Sequence, residues 1–180
     1  MAGRAAPIWL IGPPGAGKST IGRMLAHRLD RPFVDLDRAI ERRAGARVAG
    51  IFRREGEAGF RRRETAALQA LVARPGFAAV VACGGGVGTR RRNVGVLAAQ
   101  GRTLWLDLPP NLALARCRTA GADRPLLARA DLYRRRLARR RIVWRRLGRR
   151  VDARGTPIEV LRRALAALRQ RARSRPVRRR

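Results

Sequence analysis

The feature that most constrains the fold of this chain is the octapeptide at residues 12–19, GPPGAGKS. It matches the pattern GxxxxGK[ST], and it lies between an apolar segment at 7–12 and a segment at 18–29 whose apolar residues recur at helical spacing. Glycines let such a loop curl so that successive backbone N–H groups, together with the positive end of the following helix, hold phosphate oxygens. The strand, loop and helix together predict a nucleoside triphosphate site in an α/β domain.

Within this loop the side chains have separate predicted roles. We expect Lys18 to bridge the terminal phosphates of ATP, and the Ser19 hydroxyl to ligate Mg²⁺. The residues predicted to bind ATP here are Pro14, Gly15, Ala16, Gly17, Lys18 and Ser19. The loop alone does not identify the acceptor, but a GTPase would need a base-reading motif of the NKxD kind, which the sequence lacks.

The basic composition needs an explanation of its own. The 180 residues include 43 Lys and Arg against 12 Asp and Glu, for a formal net charge of +31, and Lys18 is the single lysine. A drift toward Arg at solvated positions accounts for this composition, with lysine kept where a compact ammonium is required. A nucleic-acid-binding P-loop protein remains the alternative from another class. Because aromatic residues make up only 4% of the chain, base stacking is disfavoured and we expect no specific nucleic-acid partner.

Strands and helices are predicted to alternate along the whole chain. The predicted strands are 7–12, 33–37, 78–83, 102–108 and 150–153. The predicted helices are 18–29, 37–44, 48–55, 57–73, 90–99, 110–118, 131–147 and 157–171. This alternation predicts a parallel sheet covered on both faces, in one domain at 1–171, followed by a basic, disordered tail at 172–180.

No segment has the roughly 18 consecutive apolar residues of a membrane span, and the N-terminus does not resemble a signal peptide. We therefore expect a cytoplasmic protein with no membrane partner. The two cysteines, Cys83 and Cys117, lack metal-site spacing and are interpreted as buried thiols.

Three strand ends carry residues suited to chemistry: the phosphate loop, the pair Asp35 and Asp37, and the triple glycine at 84–86. Ligands of parallel sheets collect at the carboxyl ends of the strands, so these groups should converge at one edge. Alternation along an extended strand would place both acids on one side of it.

The order and spacing of these motifs resemble the shikimate kinase family. Besides the loop, the acids and the glycines, the resemblance is carried by Ile51-Phe52, Gly56-Glu57, Phe60-Arg61 and the run RPLL that begins at Arg124. It extends from about residue 8 to 160. It implies a three-layer P-loop kinase fold with about five parallel strands and a mobile lid at about 118–130. It also implies Mg-dependent transfer of the ATP γ-phosphoryl group to the 3-hydroxyl of shikimate, in aromatic amino-acid biosynthesis.

The resemblance also implies roles for individual residues. On the acceptor side, Arg61 and Arg140 would hold the shikimate carboxylate, Asp37 would orient the accepting hydroxyl and take its proton, and Gly85 would donate a backbone N–H. The register at Arg140 leaves Arg139 and Arg141 as alternatives.

On the donor side, the resemblance implies that Arg124 belongs to the lid and that Arg124, Lys18 and Asp37 are the catalytic residues. It implies that Arg118 packs on the adenine. It also implies that Asp35 and Ser19 lie at the metal site. We expect a monomer whose partners are shikimate and ATP. A kinase of similar fold for gluconate or a nucleoside monophosphate is the alternative within the enzyme class.

Overall fold

The computed structural model describes residues 6–119 and 130–170. Its strands are β1 (Ile8–Ile11), β2 (Phe33–Asp35), β3 (Val80–Ala82), β4 (Arg102–Asp107) and β5 (Arg149–Asp152). They form one parallel sheet in the order β2-β3-β1-β4-β5. The predicted five-stranded parallel sheet is confirmed.

Helices connect the strands and cover both faces of the sheet. They are α1 (Lys18–Arg28), α2 (Leu36–Ala44), α3 (Val48–Val72), α4 (Arg91–Ala99), α5 (Pro110–Thr119), α6 (Ala130–Leu147) and α7 (Pro157–Arg169), with a 3₁₀ helix at Val87–Thr89. None of the described helices is long and apolar enough to cross a membrane.

The central strand β1 is buried along its whole length, as expected for a strand covered on both faces. Its Trp9 has no exposed surface, and the indole Nε1 donates a hydrogen bond to the carbonyl of Gln100 at 3.0 Å. Trp144 of α6 is also fully buried, and both cysteines are buried thiols outside any disulfide. These residues therefore pack in the core, and the prediction that both cysteines are buried is confirmed.

The end of the second strand differs from its prediction. The strand stops at Asp35, and Asp37 lies in the first turn of α2, so the alternation argument for the two acids was wrong. The physical reason is capping: the Asp35 carboxylate accepts a hydrogen bond from the backbone N–H of Arg38 at 3.3 Å, and the helix begins directly after it.

The break predicted between helices at 48–55 and 57–73 is confirmed as a kink within α3. Gly56 has φ 65° and ψ −176°, values outside the helical region that a residue without a Cβ adopts readily. The kink turns the second half of α3 along the carboxyl edge of the sheet, where it borders the candidate site.

Candidate active site

A cleft of about 1460 Å³ lies at the carboxyl edge of the sheet. It is bordered by the loop after β1, the start of α2, both halves of α3, the glycines after β3 and the middle of α6. A site for one drug-sized ligand typically measures 300–1,000 Å³, so this cleft has room for two small substrates side by side. The predicted convergence of the three strand ends is therefore observed.

The phosphate loop occupies one end of the cleft. The Lys18 ammonium donates hydrogen bonds to the carbonyls of Gly12 at 3.0 Å and Pro13 at 2.7 Å, which hold it against the loop backbone. Gly17, the residue before α1, has a φ of 81°, and no side chain caps this helix. Backbone N–H groups at a helix start without a side-chain cap are suited to an anion.

All the predicted loop residues except Ala16 line the cleft. The Ala16 side chain is buried, and its N–H donates to the carbonyl of Pro13 at 3.3 Å within the turn of the loop. On the opposite wall, Tyr133 of α6 contacts the loop through a long hydrogen bond of 3.5 Å from its hydroxyl to the carbonyl of Pro14.

Two oxygen side chains lie together beside this loop. The Ser19 hydroxyl donates a 2.6 Å hydrogen bond to the Asp35 carboxylate. Within the described part of the chain, no group of three or more His, Cys, Asp or Glu residues could hold a metal ion by itself. Mg²⁺ usually keeps several waters and binds through one or two protein oxygens and the substrate phosphates, and the Ser19–Asp35 pair fits that mode.

The other end of the cleft is organised around Arg61. Only 8% of this residue is exposed, and its guanidinium packs 5.3 Å from the centre of the Phe60 ring. It donates to Glu64 at 2.9 Å and to Glu57 at 3.4 Å, both on the same helix. Arg61 is therefore fixed in place by two carboxylates before any ligand contributes.

Glu64 is a residue of the site that the sequence analysis missed. It has no exposed surface, and its Oε1 accepts no hydrogen bond from any described residue. Burial, aided by the charge of Asp37, raises the pKa of Glu64 to about 7, although Arg61 and Arg140 oppose the shift. The available signal was the spacing of three residues from Arg61, which places two helical side chains side by side.

The triple glycine lets charged side chains approach the backbone. A Cβ on Gly84 would lie 2.7 Å from Glu64 Oε1 and 2.9 Å from Asp37 Oδ1, and one on Gly86 would collide with the Arg61 guanidinium. These glycines leave room where any other residue would push the charged groups away.

Among the three candidate arginines of α6, the structure places Arg140 in the cleft. Its side chain is 13% exposed, and its Nη2 lies 3.9 Å from Glu57. Burial, with the nearby Arg61 charge, lowers the pKa of Arg140. Arg141 instead pairs with Asp107 at 3.1 Å outside this cleft, while Arg139 is exposed.

Gly85 lies close to Arg140: a Cβ on this glycine would stand 3.6 Å from Arg140 Nη1. One helical turn before Arg140, Arg136 also lines the cleft and pairs with Glu57 at 3.1 Å. Arg136 was not predicted, because within an Arg-rich helix it could not be told from a solvated side chain.

The adenine-side predictions are less well placed. Arg118 lies exposed near the end of α5 and does not line the cleft, whereas Arg116 does. Arg116 donates to the carbonyls of Ala153 at 3.3 Å and Gly155 at 3.5 Å. The lid residue Arg124 and most of the predicted lid lie outside the described residues.

The family model and similar curated relatives indicate one family. The family model for shikimate kinase matches residues 14–169. A shikimate kinase of Halorhodospira halophila is 48% identical over 124 residues, which cover 69% of this chain and 68% of the relative. A shikimate kinase of Sulfurihydrogenibium sp. is 34% identical over 166 residues, covering 91% of this chain and 98% of the relative. The solved structure of shikimate kinase from Acinetobacter baumannii in complex with shikimate has a TM-score of 0.81 and 35% identity, over 91% of this chain and 92% of that chain.

Proposed function

The chain belongs to the shikimate kinase family, and from this premise we propose that it transfers the γ-phosphoryl group of ATP to the 3-hydroxyl of shikimate. It is an ATP-dependent kinase, and its reaction is a step in aromatic amino-acid biosynthesis. The observation that carries the acceptor assignment is that a buried arginine, Arg61, and a partly buried one, Arg140, lie in the same cleft as the phosphate loop. A guanidinium matches a carboxylate through two parallel hydrogen bonds, and shikimate carries one carboxylate.

The donor half of the site consists of the loop and the start of α1. The loop N–H groups and the helix dipole hold the phosphates, and Lys18 turns from the carbonyls of Gly12 and Pro13 to the terminal phosphates. We assign Ser19 and Asp35 to the magnesium site, because their oxygens lie together beside the loop. Bound there, Mg²⁺ supplies positive charge to the phosphate oxygens.

The acceptor half lies across the cleft from the loop. Arg61 and Arg140 bind the carboxylate of shikimate, and the backbone N–H of Gly85 donates to the substrate. Asp37 orients the 3-hydroxyl toward the γ-phosphate and takes its proton as the phosphoryl group is transferred. The placement of charge supports this arrangement, because the glycines at 84–86 bring Arg61, Arg140 and Asp37 next to one another.

Catalysis in this site is mainly a matter of position and charge. The transition state of phosphoryl transfer is loose, so the protein gains most by aligning donor and acceptor and by neutralising the phosphate oxygens. Lys18 supplies part of that charge, and Arg124 of the lid is proposed to supply more. Arg118 remains the proposed adenine contact.

A nucleoside monophosphate fits less well as acceptor. It would need a base pocket, whereas Arg61, Arg136 and Arg140 border this part of the cleft. We also propose that the protein is a cytoplasmic monomer. We further propose that it has no specific nucleic-acid partner, because the positive charge is spread over exposed arginines on many elements. A salt titration of binding to random duplex DNA, run with duplexes of different sequence, tests that last point.

The experiment that tests the proposed function measures ATP consumption with and without shikimate and Mg²⁺. We expect turnover to require both, with gluconate and nucleoside monophosphates as poor substitutes. Equal ATP consumption in the presence and absence of shikimate would show that the acceptor is wrongly assigned.

Arg61→Lys tests how the acceptor is held. Loss of the guanidinium fork should raise the KM for shikimate by roughly 10- to 100-fold, which corresponds to the free energy of charged hydrogen bonds, and should change the KM for ATP much less. The matched control is Arg63→Lys, since Arg63 pairs with Glu55 and does not line the cleft. Equal losses for both substrates would place Arg61 in another role.

A further inference from the structure

The carboxylate of Glu64 already occupies part of the arginine fork that the proposed function assigns to the substrate. Glu64 Oε2 accepts from Arg61 Nη1 at 2.9 Å, while the remainder of the Glu64 side chain is buried without exposed surface. A substrate carboxylate that binds Arg61 must therefore share or replace this bond. The substrate would bring a third negative charge to the same guanidinium, which already pairs with Glu64 and Glu57.

Titratable and charged groups face Glu64 from several elements: Arg61 on α3, Asp37 at the start of α2, Arg140 on α6 and the Cys83 thiol after β3. Glu57 and Arg136 are linked to this group, because Glu57 pairs with both Arg61 and Arg136. Asp37 is the like charge that raises the pKa of Glu64, and its Oδ1 and Glu64 Oε1 both lie within 3 Å of the point where a Cβ of Gly84 would stand.

Glu64 has few means of adapting when this pocket gains another anion. It cannot turn into water, because it has no exposed surface, and its Oε1 receives no donor from the described residues. Where carboxylates share a site, the pKa of one of them is strongly raised, which favours the binding of a proton there. Glu64 is the one best placed to bind it, since it alone is fully buried.

We propose that Glu64 takes up one proton when the acceptor carboxylate binds, and that it thereby acts as the positioning residue that releases the Arg61 guanidinium to the substrate. The proton comes from the solvent and is added to the Glu64 carboxylate, Arg61 stays protonated, and no other bond is made or broken. This inference rests on the proposed function, because it requires an acceptor that carries a carboxylate.

The ligand-free protein is already prepared for this change, since burial raises the pKa of Glu64 to about 7. If substrate binding holds Glu64 protonated, the proton uptake equals the fraction ionised beforehand: about 0.1 at pH 6, about 0.5 at pH 7 and about 0.9 at pH 8. The dissociation constant for shikimate should accordingly rise with pH above 7, by up to about tenfold per pH unit.

Isothermal titration of the full chain with shikimate, without nucleotide, tests the proposal. At each of pH 6, 7 and 8 the titration is repeated in two buffers with different ionisation enthalpies, and the slope of the heat against that enthalpy gives the protons taken up. We expect the uptake to increase with pH as above. Binding without proton uptake at pH 7 and pH 8 would overturn the proposal while leaving the proposed function intact.

Two variants assign the proton to its residue. Glu64→Gln should abolish the uptake and remove the pH dependence of the affinity. The matched control, Glu57→Gln, removes the other carboxylate that pairs with Arg61 but does so at a position whose side chain is 45% exposed, and it should retain the uptake. Uptake that persists in a folded Glu64→Gln protein would refute the assignment.

If Glu64→Gln does not fold, the wild-type profile still decides, because uptake that fails to rise between pH 6 and 8 contradicts the proposal. If shikimate does not bind the wild-type protein in any buffer, the proposed function itself fails, and this inference fails with it. That outcome differs from binding without uptake.

Discussion

The burial of Glu64 predicts a pH dependence of stability that can be measured without any substrate. Burial raises the pKa of its carboxyl to about 7 in the folded chain, against 4.5 for an ordinary glutamate. Each tenfold change in a protonation equilibrium corresponds to about 1.4 kcal/mol, so keeping Glu64 ionised in the folded protein costs on the order of 3 kcal/mol. The perturbation that removes this cost is Glu64→Gln, which resembles the protonated acid in shape.

The direction of the effect follows from where the proton is bound. Below pH 4.5 the carboxyl is protonated in both the folded and the unfolded chain, and Glu64 adds no pH dependence. Between about pH 4.5 and 7 the folded chain keeps a proton that the unfolded chain has released, so the free energy of unfolding falls as the pH rises. Above about pH 7 Glu64 is ionised in both the folded and the unfolded chain, and the free energy of unfolding falls no further on its account.

Urea unfolding of the ligand-free wild type and of Glu64→Gln at pH 5, 6, 7 and 8 gives the required free energies. The variant should gain stability relative to the wild type as the pH rises, by on the order of 3 kcal/mol over this range, with most of the gain below pH 7.5. A difference between the two proteins that does not change with pH would refute the argument. Glu57→Gln is the control, and a step of similar size there would mean that general charge, rather than burial, is responsible.

Two further substitutions test the packing around the site and the cap of the last helix. Gly86→Ala places a Cβ against the buried Arg61 guanidinium, so it should raise the KM for shikimate more than the KM for ATP and lower the free energy of unfolding by about 1–3 kcal/mol. The control is Gly95→Ala, whose Cβ would meet no atom within 4 Å and which should not destabilise the protein. Equal behaviour of the two variants would contradict the steric reasoning. Thr156→Ala removes the capping box of α7 and should lower the free energy of unfolding, measured by urea titration, by about 1 kcal/mol. Thr156→Ser should retain the cap. An alanine variant as stable as the serine variant would show that the cap contributes little to stability.

The sequence was sufficient for the sheet and the phosphate loop, because both depend on local patterns. The apolar segment before Gly12 and the helical spacing after Lys18 specify one strand, one turn and one helix, and the structure has them there. The end of β2 was harder to predict, because the strand-like run continues in sequence past Asp35. The side-chain cap that ends the strand becomes visible only in three dimensions.

The acceptor pocket depended on tertiary packing. Within the run 139–141 every residue is arginine, so composition cannot choose among them, and the rotation of α6 against the sheet decides that Arg140 faces the cleft. Glu64 was overlooked because a glutamate after three arginines is typical of a solvated helix face. Only the position of α3 beneath the glycines at 84–86 turns that side chain into the interior.

The single lysine has a consequence for chemical labelling of this protein. Lys18 is the one lysine side chain in the sequence, and the structure places it in the phosphate loop, bonded to the carbonyls of Gly12 and Pro13. Reagents that acylate lysine amines therefore have a single side-chain target, and a protease specific for lysine has a single peptide bond to cut. Both would report on the accessibility of the phosphate loop alone, although the rest of the surface is densely covered with positive charge.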